Sequence, residues 1–355
     1  MKRFLLAILF LVVAATWTTA QTSKTSTTAK SADAWRDIAT PLLDKLKSQG
    51  LVTAYPGGCS GVVVNRLNGE VTIKVVGLGL YRSSDQGAAW SKVEGNPITG
   101  RDETGWTTNM DAGDPRRMAS FSLDGVAGWT TDGKTWRKFA EMGRNWDYGS
   151  IDWSAAAPAT IIVAKHETTP AGEVYVSSDG GASWKKLDIL LGGDRREPAM
   201  VGSLGTTTLI YSNGHGIFRS TDSGTTWTLV SPENPLTRIP VYFRTAHYLG
   251  TSKGLLVSRD RGATWKSLGS AVSIRQGPFF GANEKNMVVA GDDGVFRTID
   301  GGINWLRVSG LHPDDKGFSF STNWFGCYAW DPIHNIIYSS TMGHPVYSLK
   351  LNPAK

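Results

Sequence analysis

Arginines and carboxylates recur together along this chain, in short polar stretches between apolar runs. They are Arg101-Asp102-Glu103, Arg144 with Trp146 and Asp147, Arg196-Glu197, Arg238 with Arg244, Arg275, and Asp314-Asp315. A guanidinium fork matches the paired oxygens of a carboxylate or phosphate. Trp106, Trp146 and Trp324 lie in or near such stretches and offer flat faces on which sugar rings can stack. Arg101, Arg144, Arg196, Arg238, Arg244 and Arg275, with Trp146 and Trp324, are therefore the candidate ligand contacts. Two carboxyl groups about 5 to 9 Å apart across a bound sugar would suffice for glycoside cleavage. The candidates are Asp102, Glu103, Asp147, Glu197, Asp314 and Asp315, and no spacing singles out two of them. The ordinary alternative is a set of solvated loop arginines paired with the acids beside them.

Other chemistries find less support. His166, His215, His247, His312, His334 and His344 show no His-x-x-x-His spacing, and Cys59 and Cys327 lie far apart, so no metal is expected. No Gly-rich phosphate loop opens a helix and no serine nucleophile elbow occurs, so no cofactor is expected. The chain has no dense Lys/Arg tract, which argues against a nucleic-acid partner.

The elements that must position these residues announce themselves by repetition. Five segments share one pattern, for example Ser177-Ser-Asp179-Gly-Gly181-Ala-Ser-Trp184 and Ser220-Thr-Asp222-Ser-Gly224-Thr-Thr-Trp227. The others are centred on Asp85, Asp260 and Asp300, and a sixth copy at Asp132 is one residue shorter. The tryptophans that end them, from Trp90 to Trp305, step by 46, 48, 43, 38 and 40 residues. A fixed period near forty residues means an array of one supersecondary unit. The Asp accepts nearby backbone N–H groups and folds the turn; the Gly tolerates positive φ; the Trp packs between sheets. Short strand patterns such as Gly216-Ile-Phe-Arg219 and Trp265-Lys-Ser-Leu268 flank the boxes, and two more strands precede each. Four short strands per unit around a ring make a propeller blade. The expected fold is all-β, a seven-bladed propeller with Asp-box turns, with six blades as the alternative. The polar stretches then fall in the links between blades, at the central mouth.

The seventh unit, from Cys327 to Lys350, lacks a box and an outer strand. Trp35-Arg-Asp-Ile-Ala39 resembles the missing strand and would close the ring, removing an exposed sheet edge. A helix over 34–48 is the competing reading, although Pro41 argues against one continuous helix. In this register Cys59 and Cys327 begin the inner strands of adjacent blades. A disulfide between them would clamp the seam; two buried free thiols are the other outcome.

Met1-Lys2-Arg3, an apolar run to Ala15 and a small residue at Ala20 read as a signal peptide over 1–20. Residues 21–32 are mostly Thr, Ser, Lys and Ala and read as a flexible leader, leaving 33–355 as one propeller domain. The formal charge of +6 becomes +4 when Lys2 and Arg3 are removed. The mature chain is expected to be a secreted or periplasmic monomer with no membrane span. Its expected partner is a glycan or an extracytoplasmic protein.

The Ser/Thr-x-Asp-x-Gly-x-x-Trp boxes resemble those of the BNR, or Asp-box, superfamily. That group includes sialidases, propeller glycosidases that hydrolyse xyloglucan, sortilin-type receptors and photosystem II assembly-factor propellers. The resemblance covers nearly the whole mature chain and implies the fold. It implies a glycan-binding or glycan-processing protein, sialidase-like if an enzyme, or else a non-catalytic interaction platform. Sialidases carry an Arg-Ile-Pro motif before the first box, whereas Arg238-Ile239-Pro240 follows the fourth here. The xyloglucan enzymes have two propellers, and this chain has room for one.

Overall fold

A strand, a tight turn and a returning strand recur through the computed structural model, which describes residues 34–168, 172–191, 198–269, 272–315 and 326–352. The strands form seven antiparallel sheets of four. The first sheet runs outward through Cys59–Asn65, Glu70–Val75, Gly79–Ser83 and Ser91–Lys92. Inner strands of the next six are Thr108–Met110, Trp146–Ile151, Met200–Ser203, Val241–Phe243, Gln276–Phe280 and Cys327–Asp331. This is a seven-bladed β-propeller. The expected signal peptide and leader, 1–20 and 21–32, lie outside the described residues.

Each blade is packed between two neighbours, so its middle strands are buried on both faces. Ala246–Thr251 and Ile336–Thr341 are buried at every position. Outer strands face water, as Ser91–Lys92 does. The core therefore lies between blades: Trp146, Trp129, Phe139 and Tyr175 form one such layer.

The boxes fold as their residue types demand. In the fourth blade, Ser220 donates to the Asp222 carboxylate at 2.7 Å and accepts the Gly224 N–H at 2.8 Å. Asp222 also accepts the N–H and hydroxyl of Thr226 at 2.8 and 2.6 Å. Those bonds hold its pKa down to about 2. In the shortened copy, Asp132 accepts from Lys134 and Thr135 instead, one residue earlier. Gly181 has φ +89°, and a Cβ there would fall 2.2 Å from the Phe139 ring. Replacing Ser220 by Ala orphans the Gly224 N–H. It is expected to cost about 1 to 3 kcal/mol in denaturant unfolding.

The chain ends meet in the last blade. Arg36–Asp37 pairs with His344–Lys350, completing the sheet and closing the ring. The helical reading of 34–48 also holds in part, because a helix follows at Thr40–Ser48. Asp37 makes the change of direction by accepting the N–H groups of Ala39 and Thr40 at 3.0 and 2.9 Å. Pro41 sits in the first helical turn, where its missing N–H costs nothing. Leu42 and Leu46 bury one face of the helix in the seam.

The seam does not contain the expected disulfide. Cys59 and Cys327 lie on adjacent inner strands, but both are free and buried. The Cys327 sulfur meets the backbone N and O of Val62 at 3.4 and 3.6 Å. The Cys327 sulfur is thus taken up three residues along the strand from Cys59. Burial pushes both thiols up to about 12.

Candidate functional site

Links between blades and the turns between second and third strands share one end of the propeller axis. Asp-boxes and the turns between first and second strands share the other. The first end holds most of the candidate residues, and there Arg101, Glu103, Arg144 and Asp147 are joined through Asp124, Glu167 and His166 into one charge network. Arg101 reaches Glu103 and, at 3.4 Å, Asp124. Arg144 takes the same Asp124 in a forked pair at 3.0 and 3.2 Å, and Glu167 at 3.3 Å. Glu167 lies 3.3 Å from His166 Nε2, and His166 Nδ1 meets Asp147 at 2.5 Å. The Arg144 fork holds the Asp124 carboxyl below its usual range. Around the ring, Arg275 pairs with Asp292 at 2.7 Å. Arg238 gives Nη1 to the carbonyls of Pro198 and Ala199 and lies over the Tyr148 ring at 5.7 Å.

The carboxylate candidates are engaged as well. Asp102 is buried in an ion pair with Lys74, accepts the Thr108 hydroxyl at 3.0 Å, and is backed by Ser60 on its own N–H. Lys74 also donates to Ser120 and Ser122. Burial raises the Asp102 carboxyl and lowers the Lys74 ammonium. Gly61 leaves the space for this pair, since a Cβ there would fall 2.1 Å from an Asp102 oxygen. Glu103 is tied to Arg101, Asp147 to His166, and Asp315 accepts the Tyr328 hydroxyl at 2.6 Å. Asp314 is exposed.

Two ligand candidates are placed elsewhere than expected. Trp146 is fully buried, with Trp184 at 4.8 Å and Tyr175 at 6.0 Å, and has no face for a sugar. It starts an inner strand that is covered by both neighbouring layers, which a local reading of its polar flanks misses. Arg244 is not in a link. Val241–Phe243 is only three residues long, and Arg244 with Thr245 turns at once into Ala246–Thr251, which places Arg244 at the Asp-box end. Arg196, Glu197 and Trp324 lie outside the described residues.

A central cavity lies among the inner strands, with an empty volume of ≈ 860 Å³ that includes open solvent. Val62, Val64, Met110, Phe279 and Trp330 line it, with Trp106 towards the links and Arg66 and Tyr242 in or beside first turns. Sequence reasoning missed Lys74, Asp124 and Arg66. Lys74 had a local signal: it is the one charge within Val71-Thr-Ile-Lys-Val75, a strand flanked by strands on both sides. Among the described residues no group of His, Cys, Asp and Glu is arranged to hold a metal. No helix among them is long and apolar enough to cross a membrane.

Blade number and ring closure define the class: the chain is a seven-bladed β-propeller, and its boxed turns resemble those of the BNR, or Asp-box, superfamily. No family model matches it. In sequence it is similar to a xyloglucanase of a Paenibacillus species, 30% identical over 234 residues that cover 65% of this chain and 18% of that protein. A xyloglucanase of Hypocrea jecorina is 26% identical over 165 residues, 45% of this chain and 20% of that one. Among solved structures it is similar to the GH74 enzyme of Niastella koreensis, with a TM-score of 0.55 and 18% identity over 86% of this chain and 44% of that one. At that identity the structural likeness shows the fold alone. The chain spans about a fifth of the length of the two xyloglucanases.

Proposed function

We propose that this propeller is an exported protein that binds a neutral polysaccharide at the link end of its axis and does not cleave it. The observation that carries the reading is the 234-residue similarity to a xyloglucanase, which covers most of the blades. Binding is favoured over hydrolysis because four of the six carboxylate candidates, Asp102, Glu103, Asp147 and Asp315, each hold a partner within the protein. Neutral sugar is favoured over acidic because Arg101, Arg144 and Arg275 are matched by carboxylates. Trp106, half-buried at the cavity, is the available stacking face. The N-terminal signal pattern supports export.

Affinity electrophoresis in gels cast with xyloglucan or polygalacturonate, with a reducing-end assay beside it, tests this. Retardation by xyloglucan without release of reducing ends is expected, and Trp106→Ala should weaken it by about tenfold, in line with a lost stacking contact. Retardation by polygalacturonate alone would overturn the neutral-sugar reading. Release of reducing ends would make one of the acids catalytic. Retardation by neither would turn the reading to a protein partner.

A further inference from the structure

At the Asp-box end Arg66 lines the cavity and Arg244 stands exposed beside it, and the glycan reading uses neither. Arg66 stands in the turn between Cys59–Asn65 and Glu70–Val75, and Arg244 in the turn after Val241–Phe243. Their guanidinium carbons lie over one ring, Phe243, at 4.9 and 5.6 Å. Arg66 crosses the end of the cavity: it donates to the carbonyls of Ala112 in the second blade and Gly281 in the sixth, while Phe243 belongs to the fifth. Arg244 donates to the Ala282 carbonyl at 3.3 Å. Among the described residues, neither arginine has a carboxylate within ion-pair distance.

The acids of this end that the structure places nearby have partners of their own, Glu284 with Arg259 among them. Asp111 pairs with Arg117 at 3.1 Å, and Asp152 accepts the N–H and hydroxyl of Ser154. Arg261 adds a further positive charge near Tyr242. Like charges held against one ring repel: burial lowers the Arg66 pKa most, the charge of Arg244 lowers it further, and Asp111 offsets this only in part. An anion between the two would relieve the repulsion and gain charge-assisted hydrogen bonds. Above them the wall is largely apolar, formed by Val62, Val64, Met110 and Phe280, with Asp111 and Tyr242 also lining the cavity.

We propose that this end of the cavity binds a small organic carboxylate with an apolar body, its carboxylate between Arg66 and Arg244 and its body along the apolar wall. The charge excludes neutral amides of the same shape, and the wall disfavours anions without an apolar part.

Calorimetry and melting of the full chain with benzoate, benzamide and inorganic phosphate test the proposal. Benzoate is expected to bind and raise the melting temperature, while the other two leave it unchanged. Arg244→Gln, at an exposed side chain with one carbonyl bond, should fold normally and bind benzoate about tenfold more weakly, the loss of one charged hydrogen bond. Arg66→Met should abolish binding; if that variant does not fold, Arg244→Gln carries the test. No benzoate binding, equal binding of benzamide or phosphate, or unchanged affinity in Arg244→Gln would overturn it. Arg244→Gln should keep its retardation in xyloglucan gels, so failure here is distinguishable from failure of the glycan reading.

Discussion

Lys74→Met is expected to destabilise the propeller by about 3 to 5 kcal/mol, the usual cost of leaving one member of a buried ion pair without the other. The Lys74 and Asp102 side chains are 0% and 1% exposed. Without the ammonium, Asp102 keeps the Thr108 hydroxyl but stands as an uncompensated charge between the first two blades. The variant should also acquire a pH dependence of definite sign. Burial alone then raises the Asp102 carboxyl above its unfolded value, so the folded state binds the extra proton. The penalty should be small in acid and grow as pH rises through the raised pKa. Lys74→Met with Asp102→Asn should recover most of the loss. Urea unfolding of wild type, single and double variants at several pH values measures all three. Equal stability of the single and double variants near neutral pH would show that the loss comes from packing and not from the orphaned charge.

Acid is expected to weaken the wild-type protein through its histidines. Burial, helped by Arg261, pushes His247 down to about 4. Among the described residues its buried Nε2 has no hydrogen-bond partner, and its ring packs on Tyr242 at 4.9 Å. Burial and the neighbouring His344 push His312 down to about 4, and burial lowers His344 as well. A depressed pKa means that the unfolded chain takes up protons that the folded chain refuses. These contributions are complete above about pH 6.5, the unfolded value, and are lost as pH falls from there to about 4. For His247 the shift corresponds to about 3 kcal/mol over that window. Denaturation midpoints from pH 7.5 to 4.5 should fall accordingly, and His247→Phe should remove its share of the slope. A flat profile in the wild type would contradict the burial of these rings.

The blades were readable because their turn chemistry is local. Asp222 and Gly224 act on atoms within four residues, so the pattern and the structure coincide. Ring closure was readable for a related reason, because Trp35 to Ala39 copies the outer strands it stands in for. The site was less legible because its pairings are not local. Asp124 serves Arg101 and Arg144 from a different turn, more than nineteen residues from either, and no spacing marks it. Arg244 was misplaced by the shortness of one strand, and the cysteine pairing failed on a stagger of three residues between adjacent strands. A one-dimensional pattern records which residues recur. It does not record the offset between neighbouring sheets.

The two-residue strand at Arg36–Asp37 finds its partner in His344–Lys350, more than three hundred residues downstream. During synthesis, then, Arg36–Asp37 must wait until His344–Lys350 has emerged. Until that moment the last sheet lacks its outer strand, and the segment from Ile38 to Leu46 that packs into the seam is not anchored to it.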